Sequence, residues 1–223
     1  MKSYAMQQQM IPRVLIVVLM AFAGQAAMAQ TGWQLKKDKD GIRVFNRDDP
    51  HSRFNALRVE TTIPARLSSL AALVLDIGNY PQWSFNTQQA YVLRNVGPSE
   101  LYFYSLIHSP WPATDRDLVV HLRISQDAAT RVMTILAESV PDFIPPKKDL
   151  VRVPLSTEKW TVTPLPGNEI RVDYQLEIDP GGSVPPVLIN SFSTRGPFET
   201  FTNLREQIRI AKYRNAVISF LKE

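Results

Sequence analysis

The 223-residue chain has no cysteine and three histidines. Without thiols it can form no disulfide, hold no thiolate metal site, use no cysteine nucleophile and carry no lipoprotein-type acyl anchor. The histidines, His51, His108 and His121, fall in a loop, at a strand end and on the polar face of a strand, and no pair has the i, i+4 spacing of a metal-binding helix. A G-x-S-x-G elbow, a phosphate-cradling glycine loop and a dinucleotide fingerprint are also missing. Gly181-Gly182 follows a strand but runs into Ser183-Val184-Pro185-Pro186, and those prolines do not suit a helix N-terminus that grips phosphate. No catalytic residue, cofactor or metal is therefore expected.

Long apolar runs are scarce as well. The longest uninterrupted one, Val14 to Ala23, is half of the ~20 residues needed to span hydrocarbon. It lies in a leader-like stretch: Lys2 and Arg13 give a positive region, Ile11 to Phe22 is apolar apart from Pro12 and Arg13, and Ala27-Met28-Ala29 supplies small residues for cleavage before Gln30. The expectation is a cleaved signal over residues 1–29, a single mature domain over 30–223, and a periplasmic or secreted location. Removal of the leader takes away two positive charges and lowers the formal net charge from +4 to +2. That bias is too small to argue for nucleic acid, and basic residues alternate with acids except at Lys147-Lys148 and from Arg205 to Arg214.

No period repeats and no segment is low in complexity, so the mature chain reads as one unit. Gly41–Arg47 and Phe54–Ile63 are rich in Ile, Val, Phe and Thr around the turn residues Asp48-Asp49-Pro50, and predict two antiparallel strands. From Ala65 to Ile77 the spacing becomes helical, with Leu67, Leu70, Ala71, Val74 and Leu75 on one side, Pro64 at the entrance and Gly78-Asn79 at the exit. Further strands are predicted at Ala90–Asn95, Leu101–His108, Leu118–Ser125, Val132–Val140, Thr157–Thr163 and Ile170–Ile178. In the last, Ile170, Val172, Tyr174, Leu176 and Ile178 face one way while Arg171, Asp173, Gln175, Glu177 and Asp179 face the other. Alternation of this kind means a sheet with one dry and one solvated face.

A long terminal helix is predicted from Pro197, capped near Ser193 or Thr194, with an apolar stripe of Phe198, Phe201, Leu204, Ile208, Ala211, Val217 and Leu221. A curved antiparallel sheet wrapped around one amphipathic helix gives an α+β architecture, and such a wrap leaves space for a cavity. Arg116, inside Ala113-Thr114-Asp115-Arg116-Asp117, has two readings: a surface ion pair, or a guanidinium projecting into that cavity to hold a polar head group.

Three segments carry a resemblance: Trp111-Pro112-Ala113-Thr114-Asp115-Arg116-Asp117-Leu118-Val119, then Pro145-Pro146-Lys147-Lys148-Asp149-Leu150-Val151-Arg152, then Asp179-Pro180-Gly181-Gly182-Ser183-Val184-Pro185 through Leu188-Ile189-Asn190. With Gly41-Ile42-Arg43-Val44 and Trp160, their order and spacing resemble the START lipid-transfer family across nearly all of the mature chain. The resemblance implies a helix-grip fold around a tunnel for one sterol, phospholipid, ceramide or similar lipid, with Arg116 facing the tunnel. The strand before it, Tyr102–His108, holds no carboxylate, so the acid that some sterol-binding relatives set against this arginine has no counterpart there. The resemblance also implies gating by the loops Asp142–Leu150 and Gly181–Pro186, with Phe143, Ile144, Val184 and Val187 as apolar tips.

The functional expectation is a monomer that binds one lipid or other hydrophobic small molecule, touches membranes transiently and performs no chemistry. Arg116, Tyr104, Trp160 and Tyr174 are the expected polar contacts, and Phe198 and Phe201 the expected apolar ones. A buried Arg116 should be accompanied by Asp115, Asp117 or water. Two other classes remain open. One is a cyclase- or hydrolase-like enzyme using the same cavity, signalled by a cavity carboxylate or histidine of shifted pKa. The other is a sensor or assembly subunit, signalled by an exposed apolar patch.

Overall fold

The structure, a computed structural model, describes residues 32–48, 54–184 and 191–223, with the side chains of 191 and 192 left aside. The expected leader, His51 and Val187 lie outside the described residues. The chain divides into a first unit, Met1–Gln34, described only from Gly32 onward, and a second, Leu35–Glu223, which carries the architecture below.

Ten strands form one sheet among the described residues. In chain order the elements are β1 Gln34–Lys39, β2 Ile42–Arg47, β3 Ala56–Ile63, α1 Leu67–Leu75, β4 Thr87–Gly97, β5 Glu100–Ile107, β6 Arg116–Gln126, β7 Met133–Ser139, β8 Val151–Arg152, β9 Leu155–Leu165, β10 Glu169–Asp179, α2 Gly196–Gln207 and α3 Ala211–Arg214. A 3₁₀ turn, Ile77–Gln82, follows α1, and a π turn, Ser191–Arg195, precedes α2. The strand order is β1-β2-β3-β10-β9-β7-β6-β5-β4, with β8 paired parallel to the start of β6. This is the expected α+β helix-grip arrangement, an antiparallel curved sheet with a helix near the C-terminus.

All eight predicted strands are present, and two strands were not foreseen. β1, with the sequence QLKKDK, is almost entirely exposed and has no apolar alternation to reveal it. It pairs with β2 through Asp40-Gly41, both at positive φ (52° and 70°), as a two-residue hairpin turn requires. Two-residue β8 is too short to show a period.

The terminal helix is shorter than its stripe suggested. Helical hydrogen bonding stops after Gln207, Ile210 takes an extended conformation (ψ 138°), and α3 is one turn long. Val217, placed on the apolar stripe, is 86% exposed, and Ala211 is exposed too. Tertiary contacts redirect the chain: Tyr213 is buried, and its hydroxyl and the Lys212 ammonium donate to Asp76 at the end of α1, at 2.6 and 2.5 Å. The helix cap also differs from expectation. The π turn carries helical backbone up to Arg195, so the capping position falls there and not on Ser193 or Thr194, and Pro197 sits in the first turn as foreseen.

The register shows how the core and the cavity share the inner face. Val44, Val59, Tyr174, Trp160, Ile135 and Ile124 are successive cross-strand partners from β2 to β6, and all are buried. Phe201 of α2, wholly buried, covers this row, its ring centroid 5.2 Å from Trp160 and 5.4 Å from Tyr174. The next inward row runs Asn46, Leu57, Leu176, Glu158, Ala137 and Leu122. Every member of that second row faces open space instead of a helix. Among the described residues no helix is long and apolar enough to cross a membrane.

Candidate functional site

A cavity of about 310 Å³ lies between the sheet and α2. That volume is at the small end of the roughly 300–1,000 Å³ of ligand pockets, which suits one acyl chain or a compact ring system better than two chains. Its walls are the second row of the sheet, Phe103, Ile107 and Leu118 of β5 and β6, Val74, Tyr80 and Trp83 from α1 and the turn after it, and Pro197, Thr200 and Phe201 of α2. Most of this surface is hydrocarbon or aromatic, so polar groups in it stand out.

Arg116 is the polar group at one end. Strand alternation turns Arg116, Leu118, Val120 and Leu122 inward, and Arg116 is 6% exposed while lining the cavity. Its guanidinium donates to the carbonyls of Thr114 at 2.5 Å and Ser183 at 3.3 Å. Desolvation lowers its pKa from the usual guanidinium value, opposed by the charge of Asp115. The acids expected to accompany it are engaged elsewhere. Asp115 accepts from the Ser109 backbone N–H at 2.7 Å and faces His108 Nδ1 at 3.1 Å. Asp117, one step along the strand, points to the opposite face and forms a two-pronged pair with Arg152 at 2.9 and 3.0 Å, both side chains almost completely buried. Backbone carbonyls, which carry no full charge, are what the structure sets against Arg116. Beside it, Ser109 lines the cavity with its hydroxyl buried and unpartnered.

At the other end is a carboxyl that the sequence reading did not single out. Glu158 lines the cavity from β9, two residues from Ser156 and two from Trp160, both of which line it too. The Tyr174 hydroxyl and the Trp160 indole N–H lie within hydrogen-bonding reach of it. Burial pushes the Glu158 carboxyl up to about 7, against the lowering effect of those two donors. Its accessible surface opens into the cavity. Alternation held the signal: on a strand whose Trp160 and Val162 face inward, Glu158 must face inward as well. Trp83, which also lines the cavity, has a buried indole N–H with no partner.

Of the residues expected at the site, Arg116, Trp160, Tyr174, Phe201 and Val184 line the cavity. Tyr104 does not. Its neighbour Phe103 takes the inward position, which sends Tyr104 to the outer face, stacked on Tyr91 at 5.0 Å with the Lys147 ammonium 3.7 Å from its ring centre. Phe198 also stands off the cavity, on the side of α2 where the Lys37 ammonium covers its ring at 3.6 Å. Nor do Phe143 and Ile144 border the cavity. Phe143 stacks on Tyr102 at 4.4 Å, in line with His121 on the far side of Tyr102, and the Ile144 carbonyl accepts from Arg152. The segment after β7 is thus a cover for the outer face of β5 and β6. It explains why that face, expected to be wet, holds fully buried Tyr104, Asp117 and Val119.

This geometry is matched elsewhere. Residues 14–211 fit the model of the START domain. The chain belongs to the START family. A START relative from Xanthomonas axonopodis, solved as a STAR-related lipid transfer protein, is 32% identical, with a TM-score of 0.74 over 80% of this chain and 99% of that one. An uncharacterized protein of Pseudomonas aeruginosa is 33% identical over 192 residues, 86% of this chain and 93% of its own length. Human StAR-related lipid transfer protein 5, at 19% identity and a TM-score of 0.71, shares the START fold over 87% of this chain and 97% of its own. Membership of the family supports a hydrophobic ligand for the cavity.

Proposed function

We propose that the protein binds one amphiphilic lipid, its acyl or ring portion in the cavity and an anionic or hydroxylated head at Arg116, and carries it between membranes as an extracytoplasmic monomer. The observation that bears most of this reading is a buried guanidinium on the cavity wall whose hydrogen bonds, among the described residues, go to two neutral carbonyls and not to a carboxylate. A buried cation left in that state costs several kcal/mol, and an incoming anion removes much of the cost. Charge-assisted pairing of this kind supplies selectivity that hydrocarbon contacts do not.

The apolar wall supplies the affinity. Each CH₂ taken from water contributes roughly 0.8 kcal/mol, so about fourteen carbons contribute on the order of 10 kcal/mol. Bilayer and cavity are similar environments for such a chain, which makes exchange between them nearly neutral while escape into water stays unfavourable. Contact with the bilayer is assigned to Trp111. It is 91% exposed, stands between exposed Pro110 and Pro112, and belongs to the loop whose two ends, Ser109 and Arg116, line the cavity. Indole rings favour the membrane–water interface.

Replacing Arg116 with leucine tests the head-group assignment by competition between myristate and myristyl alcohol. The wild-type protein should prefer the acid, and Arg116→Leu should lose that preference. An unchanged preference would reduce Arg116 to a structural clasp between Thr114 and Ser183. A catalytic second reading draws on one observation, the Glu158 carboxyl poised near neutral pH in the cavity. Recovery of bound ligand chemically altered after incubation would favour it over carriage.

A further inference from the structure

Glu158 gives the cavity a second polar pole that a head group at Arg116 does not reach. Along the register Glu158 faces Ala137, Ala137 faces Leu122, and Arg116 lies six residues before Leu122 on β6. Their α-carbons are therefore two strands apart across the sheet and about 20 Å apart along the strands. Between them the lining is mainly apolar, with Leu118, Leu122 and Ala137, and Ser156 of β9 adds a hydroxyl.

We propose that Glu158, positioned by Tyr174 and Trp160, is a specificity residue for a hydroxyl carried on the body or far end of the lipid, so that the preferred ligand is a hydroxylated amphiphile and not a plain hydrocarbon chain. This inference rests on the lipid-binding reading and narrows its ligand class. Three observations carry it. First, a carboxyl occupies the inward row of a sheet where each of its cross-strand partners, Ala137 and Leu176, is apolar. A chain of methylenes laid against it would leave that carboxyl partly unsatisfied, at a cost of about 1–3 kcal/mol. Second, the titratable groups facing it are the hydroxyls of Tyr174 on β10 and Tyr80 on the turn after α1, and among the described lining residues the only basic side chain is distant Arg116. Among the described lining residues nothing cationic competes for it at close range. Third, the indole N–H of Trp83 and the hydroxyl of Ser109 are further buried polar atoms of the cavity lining with no partner. Such atoms ask for a ligand with more than one polar group.

A hydroxyl is the group that fits. The carboxyl, raised to about 7, is present both as acid and as anion near neutral pH. A hydroxyl accepts from the acid and donates to the anion, whereas a ketone serves only the first and an ammonium chiefly the second.

The test is equilibrium binding at neutral pH of myristate, of its mid-chain and terminal hydroxy derivatives and of its terminal amino derivative, to wild-type protein, Glu158→Gln and Glu158→Leu. A hydrogen bond of ordinary net strength predicts about a tenfold preference of the wild type for at least one hydroxy acid over myristate. Glu158→Gln keeps a hydrogen-bonding end and should retain most of that preference, while Glu158→Leu should lose it and still bind myristate. Equal binding of myristate and both hydroxy acids by the wild type would overturn the inference and leave lipid binding intact. So would a preference that survives in Glu158→Leu, or an amino acid derivative that binds best. Binding of none of these probes would overturn the inference together with the reading beneath it.

Discussion

Adjacent residues on β6 show how strongly strand parity decides a side chain's role. Arg116 and Asp117 are neighbours in a run that reads as an ion pair, yet the pleat sends one to the cavity and the other to the outer face. Asp117 there meets Arg152 in a pair whose side chains are 0% and 10% exposed. Removing one partner from such a buried pair costs about 3–5 kcal/mol, while an exposed pair contributes at most about 1 kcal/mol. Urea unfolding should therefore show Arg152→Ala severely destabilised and Arg123→Ala, whose pair with Glu138 is exposed, nearly unchanged.

Glu158 makes a pH prediction at the same scale. Its carboxyl is raised in the folded protein to about 7 from 4.5, so the folded state binds this proton more tightly than the unfolded chain does. Its stabilising contribution is complete below about pH 4.5 and fades as pH rises through about 7, by a total on the order of 3 kcal/mol. Relative to Glu158→Gln, the wild type should lose stability between pH 5 and about pH 8, measured by denaturation at each pH. Parallel curves for the two proteins would contradict the burial of this group. Arg116, Trp160 and Tyr174 were legible because motif or alternation aimed them inward. Tyr104 carries a polar group suited to a ligand, but strand parity from inward Phe103 puts it on the outer face, and the same parity from Trp160 turns Glu158 inward.

At the scale of elements, the strands were easy to read and the helix ends were not. Alternation is a property of each strand's own sequence, so strands with a dry face, such as β6 and β10, were visible. Exposed β1 has no such pattern and was invisible. The terminal helix was overextended because its apolar spacing continues past Gln207, while the contacts that stop it come from Asp76, more than a hundred residues away in sequence. A second remote contact anchors the tail. Arg66, the capping residue of α1, makes no side-chain cap, and the Glu223 carboxylate takes that role by accepting from the backbone N–H groups of Leu67 and Ser68 at 2.9 and 3.2 Å. Arg66 in turn donates to the carbonyls of Arg214 and Ala216. Loss of a helix cap costs about 1 kcal/mol. Glu223→Ala should lower stability by that amount and speed amide exchange at the start of α1, whereas an unchanged exchange rate there would show that water serves equally well.

On the scale of the whole molecule, function follows from how much of the inner face the helix leaves bare. Phe201 packs over one row of the sheet, and the neighbouring row, with small Ala137 between Glu158 and Leu122, is left uncovered and becomes the cavity floor. The sheet-and-helix plan was legible in the sequence; the position of the vacancy was not, because it depends on where a twelve-residue helix stops and on which row it covers. Trp111 gives a prediction of the same reach. Since it is 91% exposed and does not line the cavity, Trp111→Ala should slow lipid exchange with vesicles several-fold while leaving equilibrium affinity in solution unchanged. Slowed exchange accompanied by weakened affinity would place Trp111 in the binding site itself.

The most direct measurement is titration of the delipidated protein with a polyene fatty acid that fluoresces in apolar surroundings, set beside the variant Ala137→Trp, which fills the floor of the cavity. Saturable one-to-one binding by the wild type, lost in a variant whose circular dichroism is native, is the expected result. Undiminished binding by Ala137→Trp, or no saturable binding by the wild type, would show that the space between sheet and helix is not where this protein holds a lipid.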